Sequence, residues 1–98
     1  MNLYGHAVVA SWRSGDAWHG LGSMLPDLAG IAGARPPTPL PTPLSEALRA
    51  GVALHHATDA LFHAAPEFVA LCADALDTLQ RAGVPRGPAR GTAHIAVV

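Results

Sequence analysis

The chain has 98 residues, of which half are hydrophobic and 13% are charged, so it fits one small domain with a thin core and leaves no room for a second. Six arginines, no lysine and a formal net charge of −1 exclude a dense basic face, so we expect no nucleic-acid partner. The single cysteine, Cys72, excludes an intrachain disulfide, and no apolar run reaches the roughly 20 residues that span a bilayer. We therefore expect a cytoplasmic protein without a membrane partner.

Alanine-rich segments with apolar residues at helical spacing predict an all-α fold. The first predicted helix runs from about Leu3 to Trp12. Asp16 is the expected cap of the second helix, which extends towards Gly33. Pro26 lies inside that second segment and predicts a kink or break at Leu25, because proline lacks a backbone N–H and clashes with the preceding turn.

Prolines dominate residues 34–44, ARPPTPLPTPL, which predicts a stiff extended connection between helices. A proline-rich ligand for a partner domain is the alternative interpretation of the same stretch. Pro43 and Ser45 then open the strongest predicted helix, which runs to about Ala64.

Two further helices are predicted towards the end of the chain. Pro66 and Glu67 begin the first, which runs to about Ala82, and the stretch RGPARGTAHIAVV begins the second, with Pro88 near its first turn. The helical pattern is still under way at Val98. We therefore expect residues 1–98 to form a single helical domain of about four to five helices, the N-terminal part of a longer bundle.

Residues 51–63, GVALHHATDALFH, place three histidines and an aspartate in the middle of a helix. At 100° per residue, His55 and Asp59 fall on one apolar face, and His56 and His63 fall at its edge. The other residues on that face are Leu44, Leu48, Gly51 and Phe62. An imidazole and a carboxylate on an inward face cost free energy unless each has a partner, so a specific interaction is expected there.

Three interpretations of this pattern remain open. His55 and Asp59 are a hydrogen-bonded pair that fixes helix packing, or two ligands of a divalent metal at i, i+4 spacing, as in H-E-x-x-H sites. In the third interpretation, His56 and His63 form a pH-sensitive cluster at the surface or at an interface.

Two polar residues outside this helix strengthen the metal interpretation. His6 is the one polar side chain in GHAVVA, and Asp27 follows GSML in a segment poor in charge. Together, His6, Asp27, His55 and Asp59 form a set of nitrogen and oxygen ligands that suits Mn²⁺, Fe²⁺ or Mg²⁺, with Zn²⁺ as a further candidate. A metal held by these residues would lower the pKa of a bound water and polarise a phosphoryl oxygen, which is hydrolytic chemistry.

Three blocks of the sequence resemble a known family in their order and spacing. The blocks are MNLYGHAVVA, GLGSMLPDLAG and AGVALHHATDALFHAAPEF. The family is that of the acyl carrier protein phosphodiesterases, helical metal-dependent enzymes related to the HD-domain phosphohydrolases. The resemblance covers about half of the chain and implies an HD-like helical bundle.

The resemblance also implies an activity, a cofactor and a partner. The activity is hydrolysis of the phosphodiester that joins 4′-phosphopantetheine to an acyl carrier protein, with Mn²⁺ as the favoured metal. By this analogy His6, Asp27, His55 and Asp59 are metal ligands, and the last three are also catalytic, with Asp27 as ligand or general base. The alternative function is a non-catalytic module in which the His55–Asp59 pair is structural and exposed apolar helix faces bind a partner or a second copy of the chain.

Overall fold

The structure, a computed structural model, describes residues 1–35 and 45–98. These residues form five α-helices and no strand, which confirms the all-α prediction. The helices are α1 (Leu3–Arg13), α2 (Ala17–Ile31), α3 (Ser45–Ala64), α4 (Pro66–Arg81) and α5 (Arg86–Val97). Most of the connection predicted at 34–44 lies outside the described residues, as does Leu44. None of the described helices is both long and apolar enough to cross a bilayer.

Local sequence explains the ends of α1 and α2. The side chain of Asn2 accepts a hydrogen bond from the backbone N–H of Gly5 at 2.8 Å, and Asp16 does the same for Trp18 at 2.8 Å. Both contacts satisfy N–H groups that a helix leaves without partners in its first turn. Helix α2 ends before Gly33, which adopts the left-handed conformation (φ +65°) that glycine adopts at little cost.

Of the kink or break predicted at Leu25, the break is wrong, since α2 continues through Pro26 to Ile31. Proline inside a helix costs about 3 kcal/mol because it removes one hydrogen bond and crowds the carbonyl four residues earlier. That carbonyl belongs to Gly22, where α2 packs closely on α3. We infer that this packing offsets the local cost of Pro26.

The chain divides into two compact units, residues 1–60 and residues 61–98, with the boundary inside α3. In the first unit α1 packs on α2, and Ala10 and Leu48 are buried. In the second unit α4 packs on α5, and the buried apolar residues are Phe68, Ala89 and Ala93. Several large apolar side chains are exposed, among them Tyr4, Trp12, Ile31, Leu61 and Ile95.

Two glycines allow α2 and α3 to approach closely. A Cβ added to Gly22 would overlap the backbone of Leu48, lying 2.9 Å from its Cα. A Cβ added to Gly51 would overlap the His19 carbonyl oxygen and lie 2.7 Å from the backbone nitrogen of Ser23. Backbone atoms cannot rotate away as side chains can, so only glycine fits at these two positions.

This contact predicts opposite effects for two similar substitutions in α2. Gly22→Ala should lower the free energy of unfolding by about 1–3 kcal/mol because the added methyl forces the helix backbones apart. Gly20→Ala is the matched control, since its Cβ meets no described atom within 4 Å, and it should raise stability by about 0.5–1 kcal/mol. Urea unfolding of both variants measures the difference, and equal effects would contradict the close contact.

Candidate metal centre

Three helices of the first unit bring polar side chains together. His6 comes from the first turns of α1, Asp27 from α2, and His55 and Asp59 from adjacent turns of α3. The close contact of α2 with α3 also places the carbonyl of Ser23 beside the His55 ring. The four predicted site residues therefore lie in one region, although they are far apart in sequence.

Asp59 lies between the two imidazoles. Its Oδ1 is 3.2 Å from Nε2 of His6, and its Oδ2 is 3.4 Å from Nε2 of His55. One ligand atom from each of the three residues lies within 4.8 Å of the other two. The imidazole rings stack on each other, with centroids 3.9 Å apart and an interplanar angle of 24°.

The histidines are buried, whereas the carboxylate reaches solvent. The exposed fractions of His6 and His55 are 1% and 4%, and that of the Asp59 side chain is 26%. Asp27, whose Oδ2 lies 3.9 Å from Nε2 of His6, is also partly exposed, at 31% of its side chain. Among the described residues, the cluster therefore combines buried imidazoles with partly exposed carboxylates.

A hydrogen bond fixes which nitrogen of His55 carries the proton. Nδ1 of His55 lies 2.9 Å from the carbonyl oxygen of Ser23, and a carbonyl can only accept. In the neutral ring Nδ1 is therefore the donor, and Nε2 presents a lone pair towards Asp59.

His6 presents a buried nitrogen in the same direction. Its Nε2 is inaccessible to solvent and has no hydrogen-bond partner among the described residues, despite its closeness to Asp59. A buried polar atom without a partner lowers stability by roughly 1–3 kcal/mol. A cation or a hydrogen-bond donor near Nε2 would remove this cost.

Asp59 has one further partner, the N-terminal ammonium of Met1, at 2.5 Å from Oδ1. Burial acts to raise the pKa of Asp59, but the hydrogen bond and charge of this ammonium, together with His6 and His55, hold the pKa below its ordinary value. The carboxylate is thus ionised at neutral pH and already attracts a cation.

The pKa of His6 is also lowered. Burial is the main cause, because it disfavours the charged ring, and the charge of His55 acts in the same direction. The carboxylates of Asp59 and Asp27 oppose this shift without reversing it, and the Met1 ammonium adds to it. His6 is therefore neutral near pH 7, as a metal ligand must be.

Three of the four predicted site residues lie close enough together to bind one metal ion, and the fourth lies beside them. His6, His55 and Asp59 meet the distances of a metal site, whereas the nearest approach of Asp27 is 3.9 Å, from Oδ2 to Nε2 of His6. Asp27 therefore lies beside the three-residue group.

The two remaining histidines of the opening pattern each have ring contacts within their own unit. The ring of His56 is exposed and meets His55 edge-on at 5.2 Å. In the second unit His63 stacks on His94 at 5.2 Å and contacts Phe62 and Phe68. A pH-sensitive cluster of His56 and His63 at the surface or at an interface, the third sequence interpretation, stays a prediction.

Comparison with known proteins gives no match: no family model, curated protein or solved structure corresponds to this chain. The resemblance to acyl carrier protein phosphodiesterases therefore remains a prediction that the sequence blocks carry alone.

Sequence reasoning missed three parts of the site. Thr58 has a detectable signal, because it lies at i+3 from His55 and so shares a helix face with it. Ser23 and Met1 have none, because each reaches the site through contacts between segments distant in sequence.

The lowered pKa of His6 predicts that acid destabilises the metal-free chain. The unfolded chain, with an ordinary histidine pKa of 6.5, takes up a proton at higher pH than the folded chain. The contribution of His6 to stability is therefore present above pH 6.5 and is lost as the pH falls below it. The lowered pKa of Asp59 has a similar effect in stronger acid: its contribution to stability is lost as the pH falls below the ordinary aspartate pKa of 3.8.

Thermal unfolding between about pH 8 and pH 5 measures this loss. His6→Gln should flatten the decline of Tm with falling pH, and the exposed His56→Gln serves as control and should keep it. A decline of the same slope in His6→Gln would show that other groups cause it.

Proposed function

We propose that this chain binds a divalent metal ion through Nε2 of His6, Nε2 of His55 and the carboxylate of Asp59, and uses it to hydrolyse a phosphate ester. The observation that supports the proposal best is the convergence of two buried imidazole nitrogens on one ionised carboxylate. Three electron-pair donors that face one another repel unless a cation lies among them.

The donor set favours some metals over others. Two imidazole nitrogens and one carboxylate oxygen suit Mn²⁺, Fe²⁺ and Zn²⁺, whereas Mg²⁺ prefers oxygen ligands throughout. The resemblance to the phosphodiesterases makes Mn²⁺ the favoured ion. Three protein ligands leave positions for water and substrate, which is typical of catalytic sites.

Each residue then has a role that its position supports. The buried imidazoles of His6 and His55 would each supply one ligand nitrogen, and the partly exposed carboxylate of Asp59 would supply an oxygen and reduce the net charge of the site. A bound divalent ion would lower the pKa of a coordinated water and polarise a phosphoryl oxygen. Asp27 is partly exposed and its Oδ2 lies 3.9 Å from Nε2 of His6; in this proposal it would act as the general base that accepts a proton from the attacking water.

The substrate class rests on the sequence resemblance alone. It implies a phosphodiester, in particular the link between 4′-phosphopantetheine and an acyl carrier protein. The partial exposure of the Asp27 and Asp59 carboxylates agrees with a substrate attached to a large partner, because the ester would need to reach only these exposed groups.

One observation favours the alternative of a non-catalytic helical module. The Met1 ammonium forms an ion pair with Asp59, so the charge of this carboxylate has a partner without a metal. Under this alternative the exposed apolar side chains, such as Trp12 and Ile31, bind a partner or a second copy.

Metal titration separates the two functions. The metal proposal predicts one Mn²⁺ or Zn²⁺ per chain by calorimetry and metal analysis, and at least tenfold weaker binding in Asp59→Asn. Asp77→Asn, which removes an exposed carboxylate paired with Arg81 in α4, is the matched control and should bind as the parent does. Equal metal content in the parent and in Asp59→Asn would show that Asp59 is not a metal ligand.

Hydrolysis is tested separately with bis(4-nitrophenyl) phosphate and with a carrier protein that bears its 4′-phosphopantetheine arm. We expect Mn²⁺-dependent release of product from both, a loss of at least a hundredfold in Asp59→Asn, and unchanged turnover in Asp77→Asn. Metal binding without turnover of either ester would refute the hydrolase and leave the metal centre standing.

A further inference from the structure

The hydroxyl of Thr58 lies beside His6 on the side away from Asp59. Its Oγ1 is 2.9 Å from the carbonyl oxygen of Leu54, 3.0 Å from that of His55 and 3.3 Å from Nδ1 of His6. A threonine hydroxyl has one proton, and a carbonyl oxygen can only accept. Both carbonyl contacts are shorter than the contact with Nδ1, so we assign the Thr58 proton to the helix carbonyls.

This assignment determines what Thr58 offers to His6. On this assignment Oγ1 presents a lone pair towards Nδ1 at 3.3 Å, so Nδ1 is the donor. A neutral imidazole carries one N–H, which leaves Nε2 of His6 with a lone pair. The absence of any hydrogen-bond partner for Nε2 among the described residues agrees with this proton position.

We infer that Thr58 is a positioning residue that holds His6 in the Nδ1–H form and so directs its Nε2 lone pair into the metal centre; this inference rests on the proposed function. The Ser23 carbonyl does the same for His55. Both imidazoles are thereby prepared to bind a cation without moving a proton. Hydrogen bonds of this kind, from the ring nitrogen that does not bind the metal, orient histidine ligands in metal sites generally.

The opposite proton position would give a different site. If Nε2 of His6 carried the proton, it would face Oδ1 of Asp59 at 3.2 Å as a donor, and the pair would be an ordinary buried hydrogen bond. Thr58 therefore decides between a cluster of acceptors that needs a cation and a closed structural pair.

Nitrogen-15 NMR of the metal-free, histidine-labelled chain tests this inference without any substitution. At slightly alkaline pH, where imidazoles are neutral, the ring nitrogen shifts distinguish Nδ1–H from Nε2–H. We expect Nδ1–H for both His6 and His55. A spectrum with His6 in the Nε2–H form would overturn the inference.

Three variants extend the test. Thr58→Val removes the hydroxyl at nearly constant shape, so His6 should change to the Nε2–H form and Mn²⁺ affinity should fall about tenfold or more. Thr58→Ser should restore both. Thr78→Val is the matched control, because Thr78 makes the same type of bond to a helix carbonyl, that of Asp74 at 2.9 Å, outside the site.

The two readouts distinguish failure of this inference from failure of the proposed function. Thr58→Val with unchanged His6 shifts and unchanged Mn²⁺ affinity would overturn the positioning role. A tautomer change in Thr58→Val, in a parent chain that binds no Mn²⁺, would support the positioning role and refute the metal centre.

Discussion

The close contact of α2 with α3 at Gly22 and Gly51 is the constraint on which the site depends. Without side chains at these positions, the two helix backbones lie near enough for the Ser23 carbonyl to reach the His55 ring. The Ser23 hydroxyl, 2.7 Å from the Gly20 carbonyl and 3.2 Å from that of His6, lies between α2 and the first helix. One small buried residue thus links all three helices of the first unit.

The second constraint is electrostatic. Burial of two imidazoles around a carboxylate is costly unless every lone pair and proton has a partner. The Ser23 carbonyl and Thr58 contact the Nδ1 atoms of His55 and His6, and the Met1 ammonium contacts Asp59. Within residues 1–35 and 45–98, Nε2 of His6 has no hydrogen-bond partner. In a cluster that served packing alone, we would expect this nitrogen to form a hydrogen bond. Its lack of a partner supports the metal proposal.

Much of the fold could be predicted from sequence because it depends on local signals. Asp16 marks the start of α2, Pro66 occupies the first turn of α4, and both helices end before glycines with positive φ. Helical periodicity was also sufficient to place His55 and Asp59 one turn apart on the same side. These features need only the residues within one or two turns.

The features that could not be predicted from sequence depend on contacts between distant segments. Pro26 predicted a kink or a break because its local cost is known. The close contact of Gly22 with α3, which we infer to offset this cost, involves a segment distant in sequence. Met1 reaches Asp59 across 58 positions, and nothing in the sequence pairs them. Asp27 looked equivalent to the other ligands in sequence, but its position on α2 places it at the solvent margin.

The most direct test of the metal centre is a crystal of the 98-residue chain grown with Mn²⁺ and measured near the manganese absorption edge. We expect one anomalous peak within bonding distance of Nε2 of His6, Nε2 of His55 and an oxygen of Asp59, with the Met1 ammonium displaced from the carboxylate. A map at saturating manganese with no peak among these three residues, and with Met1 still bound to Asp59, would contradict the account.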